Sequence, residues 1–92
     1  MTKEIWKYTI ADTDRQALEM PEGAQVLSLQ VQSGVARIWV LCDPSAGMVP
    51  RFFRVYGTGH RVGHPESLKY VGTYQTGNYG LDLVFHVFEE VG

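Results

Sequence analysis

The sequence has little cysteine, no long apolar run and no excess of positive charge, and each absence excludes a class of protein. The single Cys42 excludes an internal disulfide and a cysteine-based zinc cluster. No apolar stretch approaches the roughly 20 residues that span a bilayer. Residues 1–15 carry charges throughout and lack the apolar segment of a signal peptide. We therefore expect a soluble, cytosolic protein that makes no membrane contact.

The chain is also short, which limits it to one hydrophobic core. Its 92 residues fall below the usual size of a domain, so we predict a single domain over residues 1–92. Hydrophobic residues make up 45% of the chain and aromatic residues 12%, which is enough apolar surface to form a folded core.

The net charge of −2 argues against nonspecific binding of nucleic acid. The charge is unevenly distributed: residues 33–74 contain five basic and two acidic side chains, and the rest of the chain contains three basic and eight acidic ones. Two interpretations follow. The charges either interleave on the folded surface as ordinary salt bridges, or form a local basic patch that faces an anionic ligand.

Apolar and polar residues alternate along most of the chain, which is typical of half-buried β-strands. Trp6, Tyr8 and Ile10 point inward in the first strand. We expect residues 16–20 to form a short strand rather than a helix, because Pro21 and Gly23 end the segment early. Residues 26–42 predict a β-hairpin that turns at Ser33-Gly34.

The second half of the chain continues this pattern. Further strands are expected at residues 51–56, 68–75 and 81–90, with loops at 57–67 and 76–80. The alternation places the following residues together on one face each: Leu27, Leu29 and Val31; Tyr70, Gly72 and Tyr74; Leu81, Leu83, Phe85 and Val87; and Asp82, Val84, His86 and Phe88. About seven short strands with glycine-rich turns predict an all-β fold, either an antiparallel β-sandwich or a small barrel.

Several segments occur in an order that resembles a family of small bacteriophage and prophage proteins, carried as a domain of unknown function. The most recognisable are MPEGA at residues 20–24, YGTGH at 56–60 and VFHVFE at 84–89. The resemblance extends over roughly residues 5–89. It implies a viral origin and a β-rich fold, and it brings no catalytic residues.

The YGTGH segment is the best candidate for a ligand site. Its glycines would let backbone amides approach an anion, and an arginine two residues upstream shares the strand face and matches a phosphate. The candidate ligand-binding residues are Arg54, Tyr56, Gly57, Thr58, Gly59 and His60. The alternative is a turn that merely ends a strand, with Arg54 paired across strands to an acid such as Glu89 or Asp82.

Other chemistry-bearing residues form no site in the sequence. His60, His64 and Glu66 have suggestive spacing, but Gly63 and its neighbours make the helix that a metal site would need implausible. His86 is interpreted as a core histidine with one satisfied hydrogen bond. Cys42 has no neighbouring base in the sequence. We therefore predict no catalytic residue, no metal and no cofactor.

A surface for self-association is expected near the last strand, which is apolar on both faces. Val84 and Phe88 would be covered by a second subunit, giving a homodimer or a higher closed oligomer. Tyr74 and Tyr79 are further interface candidates, because exposed tyrosine beside arginine is a common interface composition.

These observations favour a non-enzymatic phage accessory protein that acts by binding in the host cytoplasm. It would inhibit a host defence or regulatory component, either by binding a host protein or by sequestering an anionic, nucleotide-like ligand. The alternative is a virion or assembly component whose strand edges pair between subunits. A small hydrolase is a third and remote alternative.

Overall fold

Residues 2–78 and 81–92, the part that the computed structural model describes, form seven β-strands and one turn of 3₁₀ helix. The elements are β1 (Glu4–Thr9), β2 (Arg15–Pro21), β3 (Gln25–Gln32), β4 (Val35–Cys42), β5 (Met48–Gly57), the 3₁₀ turn (Pro65–Ser67), β6 (Leu68–Asn78) and β7 (Leu81–Glu90). The strands form a three-stranded sheet in the order β1-β4-β3 and a four-stranded sheet in the order β2-β5-β7-β6. All neighbouring strands are antiparallel.

One core cluster joins the inner faces of the two sheets. The three-stranded sheet contributes alternate residues of β4, and the four-stranded sheet contributes residues from each of its strands. The buried apolar residues are Ile10, Met20, Ala24, Ala36, Ile38, Val40, Cys42, Phe53, Val55, Tyr74 and Val87. The predicted all-β antiparallel fold is confirmed in its sandwich form, since the described strands do not close into a barrel.

The first half of the chain follows its hydrophobic pattern closely. β2 is a strand, as predicted, and Trp6, Tyr8 and Ile10 point toward the core. The hairpin of β3 and β4 turns at Ser33-Gly34, where both residues have positive φ, 53° and 78°. A two-residue turn with this geometry matches the right-handed twist of the two strands, which explains why glycine is suited to the second position.

Two β-bulges overturn predicted faces in β3 and β6. The register shifts between Val26 and Ser28 and again between Tyr70 and Gly72. Leu27 is consequently 46% exposed while Val26 packs against the core, and Tyr70 lies on the sheet face opposite to Gly72 and Tyr74. A bulge inserts one extra residue into a strand, so every side chain after it points to the face opposite to the one that strict alternation predicts. The predicted faces are therefore wrong across each of the two bulges.

The two sheets approach each other closely where β3 faces β6. A Cβ atom on Gly72 would lie 3.0 Å from the Cβ atom of Leu29, which is tighter than nine in ten real Cβ contacts. The absence of a side chain at Gly72 therefore permits this close approach.

β5 and β6 are longer than predicted. β5 begins at Met48 and includes Pro50, which lies in the part of the strand that pairs with β2 and not with β7. Proline has no backbone N–H to donate to a neighbouring strand. It is tolerated at residue 50 because β5 has a strand partner there on one side only. Residues 76–78 belong to β6 rather than to the predicted loop, and residues 79–80 of that loop lie outside the described residues.

β7 presents the two faces that the sequence predicts. Phe85 and Val87 pack on the core side, whereas Val84, His86 and Phe88 are half-buried on the outer side. Throughout residues 2–78 and 81–92, no helix has the length and apolar character required to cross a membrane.

Candidate functional site

The predicted ligand loop, Gly57–His60, forms a turn closed by its own hydrogen bonds. The N–H of His60 donates to the carbonyl of Gly57 at 3.1 Å, and the N–H of Thr58 donates to the carbonyl of Val84 at 3.3 Å. The N–H of Gly57 donates to Nδ1 of His60 at 3.2 Å. Gly59 supplies the positive φ, 91°, that the turn needs. The backbone N–H groups of Gly57, Thr58 and His60 therefore already have acceptors within the protein and are not available to an anion.

Arg54 lies on the outer face of the four-stranded sheet and shares one carboxylate with Arg15. Nε of Arg54 donates to Glu90 at 2.7 Å, and Nε and Nη2 of Arg15 donate to the same carboxylate at 2.8 Å and 3.1 Å. Arg54 is thus paired across strands with an acid, as the turn alternative expected, and that acid is Glu90 rather than the examples Glu89 and Asp82. The side chain of Arg54 remains 39% exposed, so part of its guanidinium faces solvent.

The ion pairs show how the uneven charge of the sequence is distributed in the fold. Arg51 and Arg54, from the basic middle of the chain, pair with Glu89 and Glu90 at its acidic end. Much of the basic charge is therefore paired with acidic side chains in salt bridges, which agrees with the interpretation that the charges interleave on the folded surface. Arg61, also from the basic middle, has no hydrogen bond or ion pair with any described residue.

We expect the stabilisation by Glu90 to disappear only in strong acid. Hydrogen bonds from Arg15 and Arg54 lower the pKa of Glu90 from 4.5 to about 2. A carboxylate with a lowered folded-state pKa stabilises the protein above its unfolded pKa, and this contribution is lost as the pH falls from 4.5 through about 2. The difference in melting temperature between wild type and Glu90→Gln should be constant above about pH 5 and shrink below it. A difference that stays constant down to pH 2 would contradict this account.

Four aromatic side chains share the outer face of the four-stranded sheet with these arginines; we call Phe52, Tyr56, Tyr70 and Phe88 the aromatic face. The ring of Phe88 packs edge-on against Tyr56, with centroids 5.8 Å apart, and against Tyr70, at 5.5 Å. The guanidinium of Arg15 lies 4.3 Å from the centroid of the Phe52 ring. The aromatic face therefore runs across β5, β7 and β6 and has arginine on one side.

A chain of hydrogen bonds continues this face beyond the aromatic rings. Nε2 of His86 lies 2.8 Å from the hydroxyl of Thr58, and Nδ1 lies 3.0 Å from the hydroxyl of Thr73, which in turn lies 2.5 Å from the hydroxyl of Tyr70. His86 is therefore not the core histidine that was predicted, because it is half-buried on the outer face and both ring nitrogens have partners. His86 contacts Thr73 because the two residues are partners in the pairing of β6 with β7. That register follows from the bulge between Tyr70 and Gly72, which the alternation of the sequence does not indicate.

A groove of about 440 Å³ opens beside the aromatic face, between β5 and the segment that leads into β6. Arg54 and Tyr56 line one wall, and Arg61, His64 and Leu68 line the other parts. We call it the cationic groove. Of the six predicted ligand residues, the structure brings Arg54 and Tyr56 into this groove, whereas Gly57, Thr58 and His60 line a separate depression with Leu83, Val84 and Phe85. His60 also lines a smaller depression that it shares with Arg54 and Tyr56.

The four predicted interface residues have different surroundings. Val84 and Phe88 are half-buried on the outer face. Tyr74 is only 6% exposed and packs against Phe85 in the core, because the β6 bulge turns it inward. The prediction that Tyr74 lies exposed at an interface is therefore wrong. Tyr79 lies outside the described residues.

The residues considered for metal binding or nucleophilic catalysis lie apart. His60 packs under Gly57, while Nδ1 of His64 lies 3.4 Å from a carboxylate oxygen of Glu66. No group of three metal-ligating side chains gathers among residues 2–78 and 81–92. Cys42 is buried in the core, and burial raises the pKa of its thiol, which disfavours the reactive thiolate.

A family model described as a domain of unknown function (DUF7352) matches residues 1–92. No curated protein and no solved structure matches the chain.

Proposed function

The chain belongs to the DUF7352 family of domains of unknown function, and from that premise we propose that it is a phage accessory protein that acts by binding rather than by catalysis. Its binding surface would be the aromatic face together with the neighbouring arginines. The proposed phage origin is supported by the resemblance of residues 20–24, 56–60 and 84–89 to phage and prophage proteins. Its proposed place of action is the host cytoplasm.

The observation that carries the proposal is the exposure of the aromatic face. The inner side of the four-stranded sheet packs on the core, whereas no described strand covers its outer side. Tyr70 is 56% exposed although its ring packs against Phe88. Tyrosine, phenylalanine and arginine are enriched at protein interfaces. The aromatic residues are favoured there because their large, rigid rings lose little conformational entropy on binding.

The charge beside the aromatic face indicates the kind of partner. Arg15 and Arg54 share the single carboxylate of Glu90, so the two guanidinium groups exceed the negative charge that they contact. A partner with negative charge would complement this excess. We propose a host defence or regulatory component of this character, which the chain inhibits by occupying it.

Capture from a bacterial host lysate tests this proposal. Wild-type protein should retain a defined partner, and Tyr70→Ser should weaken its retention about thirtyfold, because an exposed aromatic anchor contributes roughly 2 kcal/mol. Captured proteins and small molecules released on denaturation would both be identified by mass spectrometry. Unchanged melting temperatures would show that each variant is folded.

Ile5→Ser is the matched control, since Ile5 is 62% exposed in β1 of the other sheet. We expect this variant to retain the partner as wild type does. Equal retention by wild type and Tyr70→Ser, or a loss confined to Ile5→Ser, would remove the aromatic face from the function.

The second candidate function, assembly with further copies of the chain, depends on the same face. Val84 and Phe88 are half-buried there, and a second copy could cover them. Light scattering at tens of micromolar distinguishes the two: a homodimer or small closed oligomer is compatible with an accessory protein, whereas large assemblies favour a virion or assembly component. A monomer would contradict the predicted self-association.

A further inference from the structure

Arginines outnumber acids among the residues that line the cationic groove. Arg54 and Arg61 line it together with the imidazole of His64, and Glu90 is the acid among its lining residues. Glu90 already accepts hydrogen bonds from Arg15 and Arg54, so this one carboxylate is shared by two guanidinium groups before Arg61 is considered. The groove therefore has positive charge that the described residues do not neutralise.

The donors of the two groove arginines are only partly used. Arg54 donates to Glu90 through Nε, and neither of its Nη atoms has a hydrogen-bond partner among the described residues. Arg61 is exposed and has no partner among the same residues. Asp14 lines an adjoining depression with both arginines but forms no ion pair with either among the residues described. Free guanidinium edges are the groups that match phosphate oxygens in a bidentate manner.

The rest of the groove is suited to the other parts of a small ligand. The aromatic ring of Tyr56 and the side chain of Leu68 supply apolar surface, and Ser67 supplies a hydroxyl. The volume of about 440 Å³ is within the range of pockets that hold small molecules. The chain has a net charge of −2 and the positive charge of the groove is local, which disfavours a long nucleic acid and favours a compact anion.

We propose that the cationic groove binds a nucleoside phosphate, with its phosphates on Arg54 and Arg61 and its base against Tyr56. This inference rests on the proposed binding function and names the ligand class of the groove that adjoins the proposed surface and shares Arg54 and Tyr56 with it. Binding would expel water from the guanidinium groups and leave Glu90 in place, since its carboxylate contacts Arg54 through Nε and not through the Nη atoms.

Isothermal titration calorimetry tests the inference with ADP, GDP, UDP and CDP as probes, and with adenosine and inorganic pyrophosphate as partial ligands. We expect at least one diphosphate to bind more tightly than either adenosine or pyrophosphate, and to bind more weakly at about 0.5 M salt. Arg61→Gln should weaken that binding at least about tenfold, because a charge-assisted contact is lost.

Lys3→Gln is the matched control, because it removes one positive charge from an exposed residue far along the chain from the groove. It should change the affinity less than about twofold. Arg61 has no partner to lose among the described residues, so Arg61→Gln should fold as wild type does, which a melting curve checks.

Three outcomes would overturn the inference: no binding of any nucleoside diphosphate at millimolar concentration, equal binding by wild type and Arg61→Gln, or pyrophosphate binding as tightly as the best diphosphate. If host-partner capture through Tyr70 persists in any of these cases, the inference fails and the proposed function stands. If a nucleoside diphosphate binds at Arg61 but no host component is captured, the proposed function fails in its host-directed form.

Discussion

Replacing Glu89 by methionine is expected to remove a large part of the stability of the protein, about 3–5 kcal/mol. Glu89 is only 6% exposed, and its carboxylate pairs with the guanidinium of Arg51, which also donates to the carbonyl of Ala24 at 2.8 Å. Removing the carboxylate leaves a partly buried guanidinium without its counter-charge. Breaking a buried pair from one side costs about 3–5 kcal/mol, a large part of the roughly 5–15 kcal/mol that stabilises a small domain.

The second half of this experiment replaces both partners. Arg51→Met/Glu89→Met removes both charges, so most of the lost stability should return. A deficit of about 1–3 kcal/mol should remain, because the carbonyl of Ala24 loses its donor. Urea denaturation of the wild type, both single variants and the double variant measures the coupling energy. Additive losses in the double variant would show that the pair does not act as a unit.

Truncating Phe53 to alanine is expected to have the next largest effect. Phe53 is fully buried at the centre of β5, where it lies between Gln16 of β2 and Glu89 of β7 in the sheet. Truncation removes the largest fully buried side chain and leaves a cavity, which costs about 3–5 kcal/mol. The melting temperature should fall by more than about 12 °C in a domain of this size.

Two further variants make the result on Phe53 specific. Phe53→Leu keeps much of the apolar volume and should lose clearly less stability than Phe53→Ala. Val62→Ala removes apolar atoms from an exposed loop position and should change stability by less than about 0.5 kcal/mol. A loss for Phe53→Ala that is no larger than that of Val62→Ala would mean that Phe53 is not at the centre of the core.

The stability experiments and the binding experiments address opposite sides of the same sheet. Phe53, Val87 and Glu89 face the core, whereas Arg54, His86 and Phe88 face outward from neighbouring positions of the same strands. Variants on the inner side should therefore change unfolding, and exposed variants such as Tyr70→Ser and Arg61→Gln should change binding. This separation allows a loss of function to be distinguished from a loss of fold.

The alternation of apolar and polar residues was sufficient to predict the strands and the fold class. It located the first hairpin, its Ser33-Gly34 turn and the two faces of β7, because a side-chain period of two and a glycine with positive φ are local properties of the chain. Local properties also assigned residues 16–20 to a strand, since proline and glycine end the segment before a helix can form, and the observed strand is one residue longer at each end.

The candidate site could be predicted only in part, because it depends on contacts between strands. The sequence indicated Arg54 and Tyr56, but it also indicated loop amides that the fold uses in its own turn, and it did not indicate Arg61 as part of the groove. The bulge at residues 70–72 decided which side chains of β6 reach the outer face. It placed Tyr70 against Phe88 and Thr73 against His86, and it turned Tyr74 into the core.

The sequence by itself thus determined where this protein forms strands, and the tertiary structure alone decided which residues meet on its outer surface. Local patterns determine strands because each residue's backbone preference and face depend on its immediate neighbours. The pairing of Glu90 with both Arg15 and Arg54 joins residues 75 and 36 positions apart. Such a contact depends on the order of strands in the sheet and on each register shift, and neither is encoded in the local alternation of a single strand.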